Sequence, residues 1–191
     1  MAALHPLALT RGKAYLRDCV GYLGIAAATV PLGLLAQQLD FSKERWFMLV
    51  ASALPPTLAT LLAARREASL SGATPGKRRY GLQVHNESGQ PPSFGQALLR
   101  NVIKIAIPWQ LGHTVAIGAA FGGFDDQDPV TIVATVTTYP LLVLLIGSIA
   151  FGEGRAFHDR IAGSNASLKK MRRLDRRSQL GSGQSHTSWK F

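Results

Sequence analysis

Cysteine is almost absent from this 191-residue chain, which contains only Cys19. A single cysteine excludes an intramolecular disulfide framework and a cysteine-rich zinc site. Acidic residues are also scarce, because 11 Asp and Glu stand against 21 Lys and Arg, for a formal net charge of +10. Such an excess is typical of proteins that meet nucleic acid or an anionic membrane surface.

Charged residues are missing from four long stretches, residues 19–38, 46–64, 105–124 and 129–152. Each stretch is apolar almost all round, and a helix needs about 20 such residues to cross a hydrocarbon core of about 30 Å. A soluble bundle of buried helices is the alternative, but it would leave too little polar surface. A cleaved signal peptide is the alternative for the first stretch, whose apolar run exceeds the usual length of about 7–15 residues.

We therefore predict an all-α membrane protein, a four-span transmembrane helical bundle with proline-kinked helices. Its spans are predicted at about 15–38, 46–64, 101–124 and 129–152. Prolines inside helices remove a backbone hydrogen bond, which suits either kinked helices in a compact bundle or broken helices around a polar site. Every predicted span contains proline, at Pro31, Pro55, Pro56, Pro108, Pro129 and Pro140.

The four predicted spans are preceded, separated and followed by five segments, numbered one to five in chain order. Basic residues are concentrated in every second one of these segments. Segments one, three and five hold 19 Lys and Arg, whereas segments two and four hold 2. Positive residues stay on the cytoplasmic side, so we predict an inner-membrane protein with both the N and C termini cytoplasmic. Residues 1–177 form the predicted membrane domain, with a cytoplasmic segment at 65–104 and a disordered cytoplasmic tail at 178–191.

The predicted partner of these basic residues is anionic lipid headgroups on the cytoplasmic side of the bilayer. The run at 169–177 is basic but contains no aromatic residue on which a base would stack. We therefore predict no nucleic-acid partner.

Polar side chains within the spans are candidates for function because they are costly against lipid. Gln110 and His113 are three residues apart and share a helical face, which favours an interhelical hydrogen bond, with a proton relay through His113 as the alternative. Arg11 and Asp18 also share a face, about 10 Å apart along the helix axis. They form either an interfacial ion pair that anchors the helix end or a functional site.

The cytoplasmic segment contains the glycine-rich stretch 72–81. The spacing from Gly72 to Gly76 is one residue too short for a phosphate-binding loop, and Arg78 stands where serine or threonine would hold magnesium. Lys77, Arg78 and Arg79 are therefore predicted to lie against lipid headgroups. Further along, 82–84 is predicted to be extended, and Ser93 is predicted to cap the helix that leads into the third span.

His158 and Asp159 follow the fourth span and are the residue types used for acid–base or metal chemistry. Adjacent helical residues point about 100° apart, so the two side chains do not easily share one target. No third ligand lies nearby, and the sequence predicts no metal site. The alternative interpretation is an amphipathic interfacial helix with charge pairs.

Taken together, these patches resemble the RDD family of bacterial integral membrane proteins. The resemblance rests on an arginine and an aspartate around the start of the first span, on the glycine-rich stretch with its following helix, and on the His-Asp pair after the last span. Pro75 and Ser164 depart from the family pattern. The matched polar or motif positions are Arg11, Asp18, Thr74, Gly76, Lys77, Arg78, Arg100, His158 and Asp159.

The resemblance implies a membrane protein, for which transport is the role usually suggested. We predict a small transporter or ion-pathway protein, with a non-transporting partner, assembly factor or regulatory subunit of a larger complex as the alternative. An enzyme ranks last, because the sequence lacks the motifs of membrane proteases and hydrolases, and no cofactor is predicted. Four spans are few for a complete pathway, so a homo-oligomer or membrane complex is expected.

Overall fold

The computed structural model describes residues 5–151 and 154–169, most of which are helical. The predicted tail at 178–191 lies outside the described residues. The helices are α1 (Ala8–Gln38), α2 (Arg45–Ala51), α3 (Leu54–Glu67), α4 (Pro75–Arg79), α5 (Phe94–Asn101), α6 (Ile107–Ala120), α7 (Pro129–Ala150) and α8 (Phe157–Ile161), and the strands are β1 (Leu82–Asn86) and β2 (Ser164–Leu168). A short 3₁₀ turn at Phe41–Lys43 precedes α2, and a π-helical segment at Val102–Ala106 joins α5 to α6.

Three helical stretches in the described part of the chain are long and apolar enough to cross a membrane: Ala8–Gln38, Arg45–Glu67 and Pro129–Ala150. They correspond to the first, second and fourth predicted spans. The third predicted span is built differently, because its apolar part is the 14-residue helix α6. Helix α5, the π-helical segment and α6 nevertheless follow one another without interruption from residue 94 to residue 120.

The prolines occupy two kinds of position. Pro31 and Pro140 lie inside α1 and α7, as predicted for prolines within spans. Pro55, Pro56 and Pro129 lie in the first turns of α3 and α7, where a helix has no use for the missing N–H group. Pro108 lies in the first turn of α6, directly after the π-helical segment and within a continuous helical run.

One end of the bundle joins the starts of α2 and α7. Asp128 caps α7 by accepting a hydrogen bond of 2.7 Å from the backbone of Thr131, and its Oδ2 also lies 2.5 Å from the guanidinium of Arg45. The end of α6 packs here as well, since a side chain on Gly118 or Gly123 would collide with Thr131. These contacts place α6 antiparallel to α7.

The opposite end of the bundle joins the start of α1, the end of α3 and the chain that follows α7. Ion pairs connect Arg11 with Asp159 and Arg100 with Glu67. The four long helical stretches therefore alternate in direction.

A two-stranded antiparallel sheet lies at the same end, which the all-α prediction lacks. β1 pairs with β2 in the register Leu82 to Leu168 and Asn86 to Ser164. Leu82 and Val84 face the interior, which confirms the predicted extended stretch. Ser93 caps α5 by accepting from the backbone N–H of Gln96, also as predicted.

Candidate functional site

The buried polar residues concentrate at the end of the bundle that carries the sheet. Four cations surround two carboxylates there, and these six residues come from five separate parts of the chain. We call this group the charged cluster; its members are Arg11, Glu67, Lys77, Arg100, Lys104 and Asp159.

Glu67, the last residue of α3, binds three groups. The guanidinium of Arg100 donates to Oε2 at 2.6 Å, the amide of Asn101 donates to the same oxygen at 2.8 Å, and Lys77 pairs with Oε1. Lys104 lies further away, with its Nζ 3.6 Å from Oε1. A carboxylate so fully buried is tolerated only where such partners replace its lost hydration.

Asp159 is the second carboxylate and is 0 % exposed. Nε of Arg100 donates to its Oδ1 at 2.6 Å, and Arg11 donates to its Oδ2 and to the carbonyl of Gly154. Burial alone would raise the pKa of Asp159, but the guanidinium of Arg100 and its other cationic neighbours hold it well below its usual range. Arg100 therefore bridges both carboxylates, and α5 is fixed to α3 and to α8.

His158 faces a different environment from its neighbour. Its Nε2 is 3.4 Å from Oδ1 of Asp159, whereas its Nδ1 is buried without a hydrogen-bond partner among the described residues. Burial lowers the pKa of His158 well below its usual value, so the ring is neutral at physiological pH. Both side chains are buried in the protein, and Asp159 forms ion pairs there, as the alternative interpretation with charge pairs expected.

Asp18 does not pair with Arg11, and the predicted ion pair between them is therefore wrong. Its Oδ2 accepts from the hydroxyl of Thr74 at 2.5 Å, and its Oδ1 accepts from the backbone N–H of Gly76 at 2.7 Å. Thr74 also caps α4 through the N–H of Lys77, at 3.4 Å. The contact brings the short helix α4 directly onto α1.

Glycine at position 76 is what permits this approach. A Cβ built there would overlap the carbonyl oxygen of Ala14 and would stand 2.8 Å from Cγ of Asp18. Any side chain would therefore push α4 away from α1.

The basic triplet in α4 divides between two environments. Lys77 is buried and pairs with Glu67 instead of lying on the exposed surface of α4. Arg78 and Arg79 are not part of that buried network: Arg79 is exposed, and no ion pair joins Arg78 to a carboxylate within the described residues.

Gln110 and His113 form hydrogen bonds with different partners. The amide of Gln110 donates to the carbonyl of Leu49 and to the hydroxyl of Ser52, each at 3.1 Å, which confirms the predicted interhelical hydrogen bond. His113 instead stays on its own helix, with Nδ1 3.0 Å from the carbonyl oxygen of Trp109 and the two rings stacked. The structure does not bring the two side chains to one site.

No group of three or more His, Cys, Asp or Glu side chains suited to a metal ion occurs within residues 5–151 and 154–169. The carboxylates of the charged cluster are already occupied by nitrogen donors from arginine and lysine. Their arrangement is that of an ion-pair network.

A model of the RDD family matches residues 7–163. The chain belongs to the RDD family. No curated protein and no solved structure matches it. The matched range contains every position on which the sequence resemblance rests, and helices apolar enough to span a bilayer accord with the membrane association general in this family.

In this RDD protein, eight of the nine motif positions are buried and contribute to two adjoining contacts. Asp18, Thr74 and Gly76 join α4 to α1, whereas Arg11, Lys77, Arg100, His158 and Asp159 belong to or adjoin the charged cluster. Arg78 is the ninth position and is exposed.

Sequence reasoning missed three members of this RDD site: Glu67, Asn101 and Lys104. Glu67 carries the clearest signal, because segment 65–104 contains seven basic residues and only two acidic ones, Glu67 and Glu87. An isolated carboxylate within three residues of the end of an apolar stretch, in a strongly basic segment, is a candidate for internal ion pairing.

Proposed function

We propose that this RDD protein is a small inner-membrane transporter whose bundle provides a pathway for a proton or a small cation. The observation that carries the proposal is a set of buried polar atoms in the bundle that have no hydrogen-bond partner among the described residues. One of them is Nε of Arg45, at the start of α2. The other four are the hydroxyl oxygens of Tyr22 and Thr60 and the side-chain carbonyl oxygens of Asn101 and Gln110, and they belong to α1, α3, α5 and α6.

Unpartnered polar atoms in a bundle core are expensive, and water or an ion normally satisfies them. The four oxygens suit a proton-carrying water chain or a hard cation. Asp18 lies one helical turn before Tyr22 and supplies a carboxylate at the mouth of this route.

The proposed topology has four crossings, with α5, the π-helical segment and α6 as the third. The alternating direction of the four helical stretches supports it, as does the placement of the described parts of segments one, three and five at one end of the bundle. These segments hold 19 of the 21 basic residues, so this end is assigned to the cytoplasm, together with both termini.

The topology predicts which loops an impermeant reagent reaches. In a Cys19→Ser background, Asp126→Cys should react with a membrane-impermeant maleimide in intact spheroplasts, whereas Ser88→Cys should react only after lysis. Both positions are exposed, so accessibility depends on the side of the membrane. Labelling of both positions from outside would contradict the four-span arrangement.

Transport is tested with purified protein in sealed liposomes under a sodium or pH gradient, followed by a pH-sensitive dye. The wild type should dissipate the gradient, and Asp18→Asn should not. Because Asp18 also holds α4, Tyr22→Phe and Thr60→Val are the sharper variants. Each removes an unpartnered oxygen at nearly constant volume, so the fold should be kept or stabilised while flux falls.

Tyr139→Phe is the matched control, because Tyr139 lies on α7 and is exposed. It should transport at the wild-type rate. Equal flux in wild type, Tyr22→Phe and Thr60→Val would remove these oxygens from the pathway, and an absence of flux in the wild type under either gradient would contradict the proposal.

A non-transporting role in a larger membrane complex is the second candidate, with no enzymatic activity assigned in either case. It is favoured by the charged cluster itself, since every carboxylate there is paired within the chain, as in a structural support. Cross-linking in native membranes followed by purification should then recover one stoichiometric partner or a homo-oligomer. A monomer by light scattering, without a co-purifying protein, would count against both the complex and the expected homo-oligomer.

A further inference from the structure

A cavity of about 390 Å³ opens between α1 and α7. Its walls are apolar and include Leu9 on α1 and Leu142, Leu145, Ile146 and Ile149 on α7. Leu9 is 73 % exposed and Ile146 is 66 % exposed, so the mouth lies on the outer surface of these two spans. In the proposed topology, a cavity with this position opens toward the bilayer.

Part of the cavity wall consists of positively charged side chains. Four cations line it, and none of the described residues around it is acidic; the cations are Arg11, Lys77, Arg100 and Lys104. The two carboxylates that pair with them, Glu67 and Asp159, are fully buried and do not line the cavity. The cationic side of the cluster therefore faces the cavity, and the local formal charge of four cations and two carboxylates is positive.

Lys104 is the cation with the most unused hydrogen-bonding capacity. Its Nζ is 3.6 Å from the nearest oxygen of Glu67 and 5.7 Å from the ring centroid of Tyr15, and an ammonium group carries three donors. It lies in the middle of the π-helical segment, a conformation that is frequent at functional sites. His158, whose Nδ1 lacks a partner among the described residues, lines the same cavity.

We propose that this cavity binds one anionic phospholipid from the cytoplasmic leaflet. The headgroup phosphate lies against Lys104 and the adjoining cations, and an acyl chain follows the apolar wall of α7. The apolar walls and lateral mouth select a lipid over a soluble phosphate, and the excess positive charge selects an anionic lipid over a zwitterionic one. The choice of leaflet rests on the proposed topology, whereas the binding itself does not depend on transport and stands if no flux is found.

Native mass spectrometry of the detergent-solubilised protein tests the proposal, using dioleoyl-phosphatidylglycerol and dioleoyl-phosphatidylcholine at equal concentrations. The wild type should retain one phosphatidylglycerol per chain, with a preference of about tenfold over phosphatidylcholine, which corresponds to about 1.4 kcal/mol. Lys104→Gln should lose most of this preference. Arg79→Gln removes one exposed positive charge from the same segment and should keep it.

Filling the cavity gives a variant that leaves the charges in place. Gly12 lines the cavity, and a Cβ built there meets nothing within 4 Å, so Gly12→Leu should fill the space without disturbing the fold and should prevent retention of the lipid. Gly21→Leu is the matched control, because Gly21 also lies on α1 with nothing within 4 Å and does not line the cavity. Thermal unfolding of each variant verifies that it is folded.

Three results would overturn the proposal: equal retention of the two lipids by the wild type, undiminished retention by folded Gly12→Leu, or loss of retention in Arg79→Gln equal to that in Lys104→Gln. Competition with inorganic phosphate separates the two sources of the anion. Displacement of the lipid by millimolar phosphate would show a site for free phosphate, whereas retention supports a lipid site.

Discussion

Replacing Asp159 with asparagine should lower the free energy of unfolding by about 3–5 kcal/mol, because removal of one partner leaves buried charges uncompensated. The guanidinium groups of Arg11 and Arg100 both lose a partner, since Arg100 keeps only its ion pair with Glu67 and Arg11 keeps only its hydrogen bond to the carbonyl of Gly154. The substitution is nearly isosteric, so the loss measures charge rather than packing. Equilibrium denaturation of the purified variant in detergent micelles, compared with the wild type, gives the difference.

Glu87→Gln is the control for Asp159→Asn. Glu87 also pairs with an arginine, Arg155 at 2.8 Å, but its side chain is 73 % exposed. Exposed pairs contribute about 0–1 kcal/mol, so this variant should unfold close to the wild type. Equal losses in the two variants would contradict the assignment of Asp159 to a buried network.

The difference in unfolding free energy between the wild type and Asp159→Asn should depend on pH. The pKa of Asp159 is lowered in the folded protein, so its stabilising contribution is complete above the unfolded value of about 3.9 and is lost as the pH falls through the folded value. The amide that replaces the carboxyl group in Asp159→Asn cannot titrate. The gap in stability between the wild type and this variant should therefore be constant near neutral pH and should narrow below about pH 4.

Gly76→Ala should destabilise the protein by about 1–3 kcal/mol or more, the range for overpacking a site that cannot relax. The added methyl group would overlap the carbonyl oxygen of Ala14 and the carboxylate of Asp18, so α4 must move away from α1. Both hydrogen bonds to Asp18 would lengthen with that movement. Thermal unfolding in detergent should show a lower midpoint, and limited proteolysis should cut more rapidly near residues 72–81.

Gly21→Ala separates this steric effect from the intrinsic effect of alanine on a helix. Gly21 lies within α1 and has nothing within 4 Å of its Cβ position. Alanine should be neutral or slightly stabilising there, since it favours helix relative to glycine. A Gly76→Ala protein as stable as Gly21→Ala would show that α4 does not approach α1 as closely as described.

The three helical stretches that are long and apolar enough to cross a membrane could be predicted from sequence, because the absence of charge over about 20 residues is a local signal. Helix α1 begins at Ala8, before its predicted start near residue 15, and its first turns include Arg11, whose carboxylate partner Asp159 lies 148 positions away. The third predicted span is less regular than its apolar run suggests, because a π-helical turn precedes Pro108. Neither feature is encoded in the hydropathy of nearby residues.

The sequence indicates which residues belong to the site better than it indicates which of them are in contact. Asp18 stands out as an ionisable residue at the edge of a span, but its partners lie 56 and 58 positions away and reach it only because Gly76 lacks a side chain. Glu67 was missed because counting basic residues, which indicates the orientation, ignores carboxylates. Pairing between distant segments depends on how helices pack, and spacing along the chain does not contain that information.

The pairing of β1 with β2 has a consequence for biosynthesis. The two strands are separated by the whole of α6 and α7, so β1 leaves the ribosome long before its partner exists. Asp159 is also synthesised late, so Arg11 and Arg100 lack the carboxylate that they share until α8 has formed. Closure of the sheet and completion of the cluster therefore form a final, joint assembly step, and a nascent chain stalled within α7 would expose unpaired charge and a free strand edge to the quality-control proteases of the membrane.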